Sequence, residues 1–77
     1  MFLKENLKLL RKRRKRSQED VAKSLNLTRS AYNSYENGVA EPGIQILIRL
    51  SEFFQINIDK LLRTDLGRLS ELQLSQL

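Results

Sequence analysis

Residues 17–37 constrain the fold more than any other stretch of this chain. Two helix-start signatures stand at Ser17 and Thr28, too close together for anything but a short helix and a tight turn between them. Ser17 offers a side-chain oxygen to the unpaired N–H groups of a helix start, and Glu19 and Asp20 follow where the helix dipole is positive. Val21, Ala22 and Leu25 supply the buried side of this short helix. Asn26, which tolerates left-handed backbone, is placed to stop it. Thr28 caps the next helix, with Leu27 before it as an apolar anchor, and Asn37-Gly38 ends it.

Two capped helices joined by the turn Asn26-Leu27-Thr28 have the layout of a helix-turn-helix, whose second helix is presented outward. Ala22 fits that reading, because helices crossing at a steep angle leave little room for a large side chain. Elsewhere, Leu3, Leu7 and Leu10 predict a first amphipathic helix over residues 3–15. Glu41-Pro42-Gly43 reads as a turn into a fourth helix, 44–54, with Leu47, Leu50, Phe54 and Ile44 on its inner stripe. Asn57 caps a last short helix carrying Ile58, Leu61 and Leu62. The expected fold is all-α, five short helices around one core, within a domain spanning residues 1–63. Residues 64–77 change character, with leucines at 66, 69, 72, 74 and 77 among Ser and Gln and a break at Gly67. That tail reads equally as a dimer contact or as a linker to a further C-terminal domain.

Composition removes most other functions. The 77 residues contain no cysteine and no histidine, which excludes thiolate and imidazole catalysis and the usual zinc ligand sets. The nine carboxylates are scattered and largely explained as caps or ion pairs, so neither catalysis nor a cofactor is expected. No apolar run approaches the roughly 18 residues of a membrane span, and the N-terminus lacks a signal-peptide layout. A soluble, cytoplasmic protein is expected. Charge is polarised: residues 1–30 hold ten Lys/Arg against three Asp/Glu, whereas 31–77 hold four against six. A basic N-terminal part suits a polyanionic partner, though a solvated surface would look the same.

The third helix divides into two faces. Ala31, Tyr32 and Tyr35 fall on the core side with Leu27. Arg29, Ser30, Asn33, Ser34 and Asn37 occupy the other, linked by steps of three and four. That outer stripe has no acid and consists of short hydrogen-bonding groups plus one guanidinium. Such side chains suit base edges in a major groove, Arg on guanine O6/N7 and Asn on adenine N6/N7. An ordinary solvated face would mix Glu with Lys.

The stretches LKLLR at 7–11, SQEDVAKSL at 17–25, LTRSAYNSYENG at 27–38, the proline at 42 and INIDKLL at 56–62 resemble the Xre/Cro, lambda-repressor-like helix-turn-helix family. The resemblance implies a sequence-specific regulator of transcription, mostly a dimeric repressor, on double-stranded operator DNA. It implies base contacts from Thr28, Arg29, Ser30, Asn33 and Ser34. Phosphate contacts would come from Ser17, Gln18 and Asn37, with Gln18 also buttressing the first turn of the reading helix. Arg11 and Glu36 fall where the family commonly forms a structural ion pair. Two departures stand out. Lys15 and Arg16 occupy places usually held by a glycine and an apolar residue, so the first helix is expected to run long. Tyr32 stands where an aliphatic residue is common, and its hydroxyl needs a partner, a backbone carbonyl or a phosphate.

Arg11 to Arg16 are six consecutive cations. They read as phosphate-contacting charge, with Arg13, Lys15 and Arg16 the candidates, as a solvated helix end, or as a localisation patch. A homodimer is expected, because one small module buries little surface on DNA. Two reading helices about 34 Å apart would then require a near-palindromic site. The competing reading is an antitoxin or protein-interaction module on the same scaffold.

Overall fold

Side-chain caps decide where four of the six α-helices of this chain begin. In the computed structural model, which describes all residues Met1–Leu77, the elements are α1 (Leu3–Arg13), α2 (Gln18–Ser24), α3 (Arg29–Glu36), α4 (Ile44–Phe54), α5 (Ile58–Arg63), a 3-10 turn (Leu66–Arg68) and α6 (Glu71–Ser75). The Ser17 hydroxyl accepts the Asp20 N–H at 3.0 Å, and the Asp20 carboxylate accepts the Ser17 N–H at 3.0 Å, a reciprocal capping box. Thr28 Oγ1 accepts the Ala31 N–H at 3.0 Å, and Asn57 Oδ1 accepts the Lys60 N–H at 2.7 Å. Each cap satisfies a donor that the helix itself leaves free.

The helix ends share one device. In α1 to α4 the chain turns through a left-handed residue, and the N–H beyond it returns to a carbonyl five residues back: Arg16 to Arg11, Leu27 to Ala22, Val39 to Ser34 and Ile56 to Ser51. The left-handed residues are Lys15 (φ 55°), Asn26 (56°), Gly38 (73°) and Gln55 (55°). The first helix therefore stops at Arg13, not at residue 15 as expected. Lys15 adopts the backbone a glycine would favour, and the 6→1 bond from Arg16 ends the helix despite the side chain.

The core takes Leu7 and Leu10 from α1, Val21 and Ala22 from α2, Tyr32 from α3, Leu50 and Phe54 from α4, and Leu61 from α5. Each of the buried Leu, Val and Phe side chains contributes roughly 1.5–3 kcal/mol by burial, and the Ala22 methyl less. Ile44 was expected on the inner stripe of α4, yet it is 67% exposed, and Leu47 is only half-buried. The inward face of α4 is instead completed by Ile46 and Phe53, which pack against the core.

The core does not end at residue 63. Leu66 and Leu74 are buried in it, and Ser70 with Gln73 forms a second capping box that starts α6. Asn6, 1% exposed, fastens this return. Its Nδ2 donates to the carbonyls of Leu61 (2.8 Å) and Thr64 (2.7 Å), and its Oδ1 accepts the Leu66 N–H at 3.2 Å. Residues 64–75 are thus packed onto the first five helices rather than trailing from them. No helix is long and apolar enough to cross a membrane.

Candidate nucleic-acid interface

Helices α2 and α3 pack directly on each other, with Ala22 buried. The joint is locked at its far end by Glu36, whose side chain is fully buried. Arg11 Nε donates to Glu36 Oε2 at 2.7 Å and Arg11 Nη2 to Oε1 at 3.1 Å. Gln18 Nε2 donates to Glu36 Oε1 at 3.2 Å. Burial by itself would raise the Glu36 carboxyl, but the donors, Arg11 foremost, hold it below its ordinary value. The same hydrogen bond raises the Arg11 guanidinium. Arg11 Nη1 also donates to the Arg16 carbonyl at 2.9 Å, so one side chain ties α1, the α1–α2 loop and α3 together.

Gln18 therefore supports the last turn of α3 through Glu36, not its first turn as expected. One N–H of its amide stays free for a further acceptor. Tyr32 is completely buried, so its hydroxyl is out of reach of a phosphate, and no backbone carbonyl bonds it, which corrects both expected partners. It lies near enough to Glu36 to feel its charge without forming a well-directed bond, and burial above all raises its pKa.

The outer face of α3 is open. Thr28, Arg29, Ser30 and Asn37 are exposed, and Asn33 and Ser34 are half-buried. No ion pair involves Arg29. Asn37 Nδ2 donates to Asn33 Oδ1 at 3.2 Å, which aligns the two amides and leaves the Asn33 N–H groups free. The Ser34 hydroxyl donates to the Ala31 carbonyl at 2.6 Å, so Ser34 has only acceptor capacity left. The Thr28 oxygen accepts within its cap, and its proton stays available.

Three of the six consecutive cations are engaged within the fold. Arg11 holds Glu36. Arg13 pairs with Glu71 of α6 at 3.0 Å, and Arg14 lies 5.4 Å and 5.5 Å from the Phe53 and Phe54 ring centroids. Lys12, Lys15 and Arg16 are exposed, with no side-chain partner. Among the candidates for phosphate contact, Arg13 is thus set apart from Lys15 and Arg16.

The sequence that builds these capped helices and the turn between them is similar to known proteins. The helix-turn-helix family matches residues 7–61. The chain belongs to that family, of the Xre, lambda-repressor-like type. It is similar to the uncharacterized HTH-type transcriptional regulator YqaE of Bacillus subtilis, at 42% identity over 77% of this chain and 51% of the relative. A prophage-derived uncharacterized HTH-type transcriptional regulator of the same organism, YonR, is 39% identical over 77% of this chain and 55% of its own length. The HTH-type transcriptional activator BcrR of Enterococcus faecalis is 36% identical over 80% of this chain and 30% of its own length. The chain thus spans about half or less of the relatives it matches. No solved structure is a significant match.

Within this helix-turn-helix domain, two contributions escaped the sequence reading. Asn6 looks in sequence like one more polar residue of an amphipathic helix, and its three partners lie 55 or more positions away. Glu71, which engages Arg13, is equally remote. The start of α6 was readable, since Ser70-Glu71-Leu72-Gln73 has the spacing of a capping box.

Proposed function

We propose that this domain recognises a near-palindromic operator in double-stranded DNA as a homodimer and represses transcription from it. The observation that carries the reading is the outer face of α3. Arg29, Ser30 and Asn33 lie together there with free hydrogen-bonding groups, and the one acid of the helix, Glu36, is buried and neutralised by Arg11. Arg29 would take guanine O6/N7 and Asn33 adenine N6/N7. Thr28 and Ser30 add short donors, and Ser34 offers an acceptor. Ser17, Gln18, Asn37, Lys15 and Arg16 would hold phosphates around that helix, joined by Arg13 where it leaves Glu71.

Size supports the dimer. The molecule measures 32 × 23 × 20 Å, so one copy reaches one major-groove segment. Two copies are needed to read half-sites about 34 Å apart. Val39, Ile44 and Ile48 are exposed apolar residues available to a protein contact. The interaction-module reading loses ground because the face of α3 lacks the apolar or acidic surface a protein-binding helix would present. One finer point has a specific competitor: the Enterococcus relative is named an activator. Bound beside a promoter rather than across it, the same domain would activate.

Selection of bound duplexes from a random library tests the proposal. Enrichment of two inverted half-sites with centres one duplex turn apart is expected. Recovery of unenriched sequence at low salt would overturn sequence-specific recognition, and a single unpaired half-site would overturn the dimer.

A further inference from the structure

The exposed side of α1 carries Lys4, Lys8 and Lys12 at steps of four, forming one stripe about 12 Å long at 1.5 Å rise per residue. The stripe borders an open groove whose other wall holds Glu36 and Asn37. Asn37 in turn bonds Asn33, so the lysines run on continuously from the outer face of α3. Glu36 adds no free negative charge to the groove, because Arg11 neutralises it. Glu5 is the only acid of α1, and its 4.0 Å approach to Lys4 between half-exposed side chains is worth little.

The pattern costs the helix stability. Like charges four apart repel, and Lys4 sits in the first turn, where the dipole disfavours a cation. Yet none of the three lysines has a buried or well-formed partner to offset that cost. The loop leaving α3, residues 38–42, has no cation of its own. Lys4 folds over it, its Cδ only 2.9 Å from where a Cβ on Gly38 would lie.

We propose that Lys4, Lys8 and Lys12 form a second phosphate-binding track, which grips the DNA backbone beyond the groove read by α3. A strand passing along the stripe presents one phosphate per roughly 3.4 Å of duplex axis, enough to engage all three lysines. The proposal rests on the DNA-binding reading above, but not on its sequence specificity.

The test therefore uses a duplex of arbitrary sequence. Binding is titrated from low to moderate salt for the wild type, for Lys4→Gln/Lys8→Gln/Lys12→Gln, and for a charge-matched control, Lys60→Gln/Arg63→Gln/Arg68→Gln. The stripe variant is expected to flatten the log–log salt slope by about 2–3 units, nearly one per lysine, with wild-type helicity. Lys8→Gln alone is expected to remove about one unit, and the triple Lys→Arg variant none. An unchanged slope, or an equal flattening in the control, would overturn the track. Flattening without preference for any sequence in the library sustains the track and sinks operator recognition. Preference with an unmoved slope does the reverse, and no binding to any duplex sinks both.

Discussion

Replacing Lys15 by glycine separates the structural from the DNA-binding role of one residue. Lys15 ends α1 at φ 55°, a conformation costing an L-residue roughly 1–2 kcal/mol. Glycine escapes that cost but loses more backbone entropy on folding, roughly 0.5–1 kcal/mol. The midpoints differ by about 0.75 kcal/mol, so Lys15→Gly is expected to stabilise the domain by about that much, a Tm rise of about 3–6 °C for a chain of this size. Lys15→Ala keeps the Cβ and should leave stability nearly unchanged. Gln55→Gly, at the same backbone angle, should give a similar gain. Thermal unfolding by circular dichroism measures all three. If Lys15 contacts a phosphate, both Lys15 variants should also lose nearly one unit of salt slope, whereas Gln55→Gly should lose none. A destabilised Lys15→Gly with a stabilised Gln55→Gly would refute the strained-cap explanation at Lys15.

Other perturbations address the buried polar groups. Asn6→Ala should cost roughly 3 kcal/mol or more in chemical denaturation, since two carbonyls and one N–H lose their partner, and Asn6→Leu should not recover it. A leucine variant as stable as wild type would mean that packing, not hydrogen bonding, holds the tail. Glu36→Gln should cost about 3–5 kcal/mol by leaving Arg11 without its charge partner. Because the folded-state Glu36 carboxyl is held below its ordinary 4.5, its stabilisation is present above that value and lost as pH falls through the lowered one. Acid unfolding monitored by circular dichroism should accordingly steepen below the usual carboxylate range in the wild type, and less so in Glu36→Gln. Glu71→Gln should leave the fold intact, because its pair with Arg13 is exposed, and should tighten binding slightly by freeing Arg13.

What the residues disclose by themselves follows from how local each interaction is. Ser17, Thr28 and Asn57 cap helices through bonds three residues away, and Asn26 turns the chain through its own backbone preference, so α2, α3 and α5 were readable in place. The α1 boundary was not, because nothing about a lysine announces a left-handed conformation; the bond from Arg16 to the Arg11 carbonyl imposes it. Ile44 has the same spacing as Leu47 and Leu50, yet it falls on the solvent side, since periodicity fixes a stripe and not its edge. The return of residues 64–75 depends on Asn6 and on the burial of Leu66 and Leu74, which are tertiary facts. In the candidate interface, residue type singled out the α3 face. Which cations are already engaged inside the fold is decided by residues remote in sequence: Glu71 for Arg13 and two phenylalanine rings for Arg14.

Arg29 is the sharpest test of whether the exposed face of α3 reads base edges. The measurement is the binding preference of Arg29→Ala against wild type over every single-base variant of the selected site. A loss of roughly 1–3 kcal/mol is expected on the preferred site, confined to one base position where preference disappears, with the salt slope falling by at most one unit. A uniform loss on every sequence would contradict it and reassign Arg29 to the phosphate backbone, and an unchanged profile would place recognition on another face.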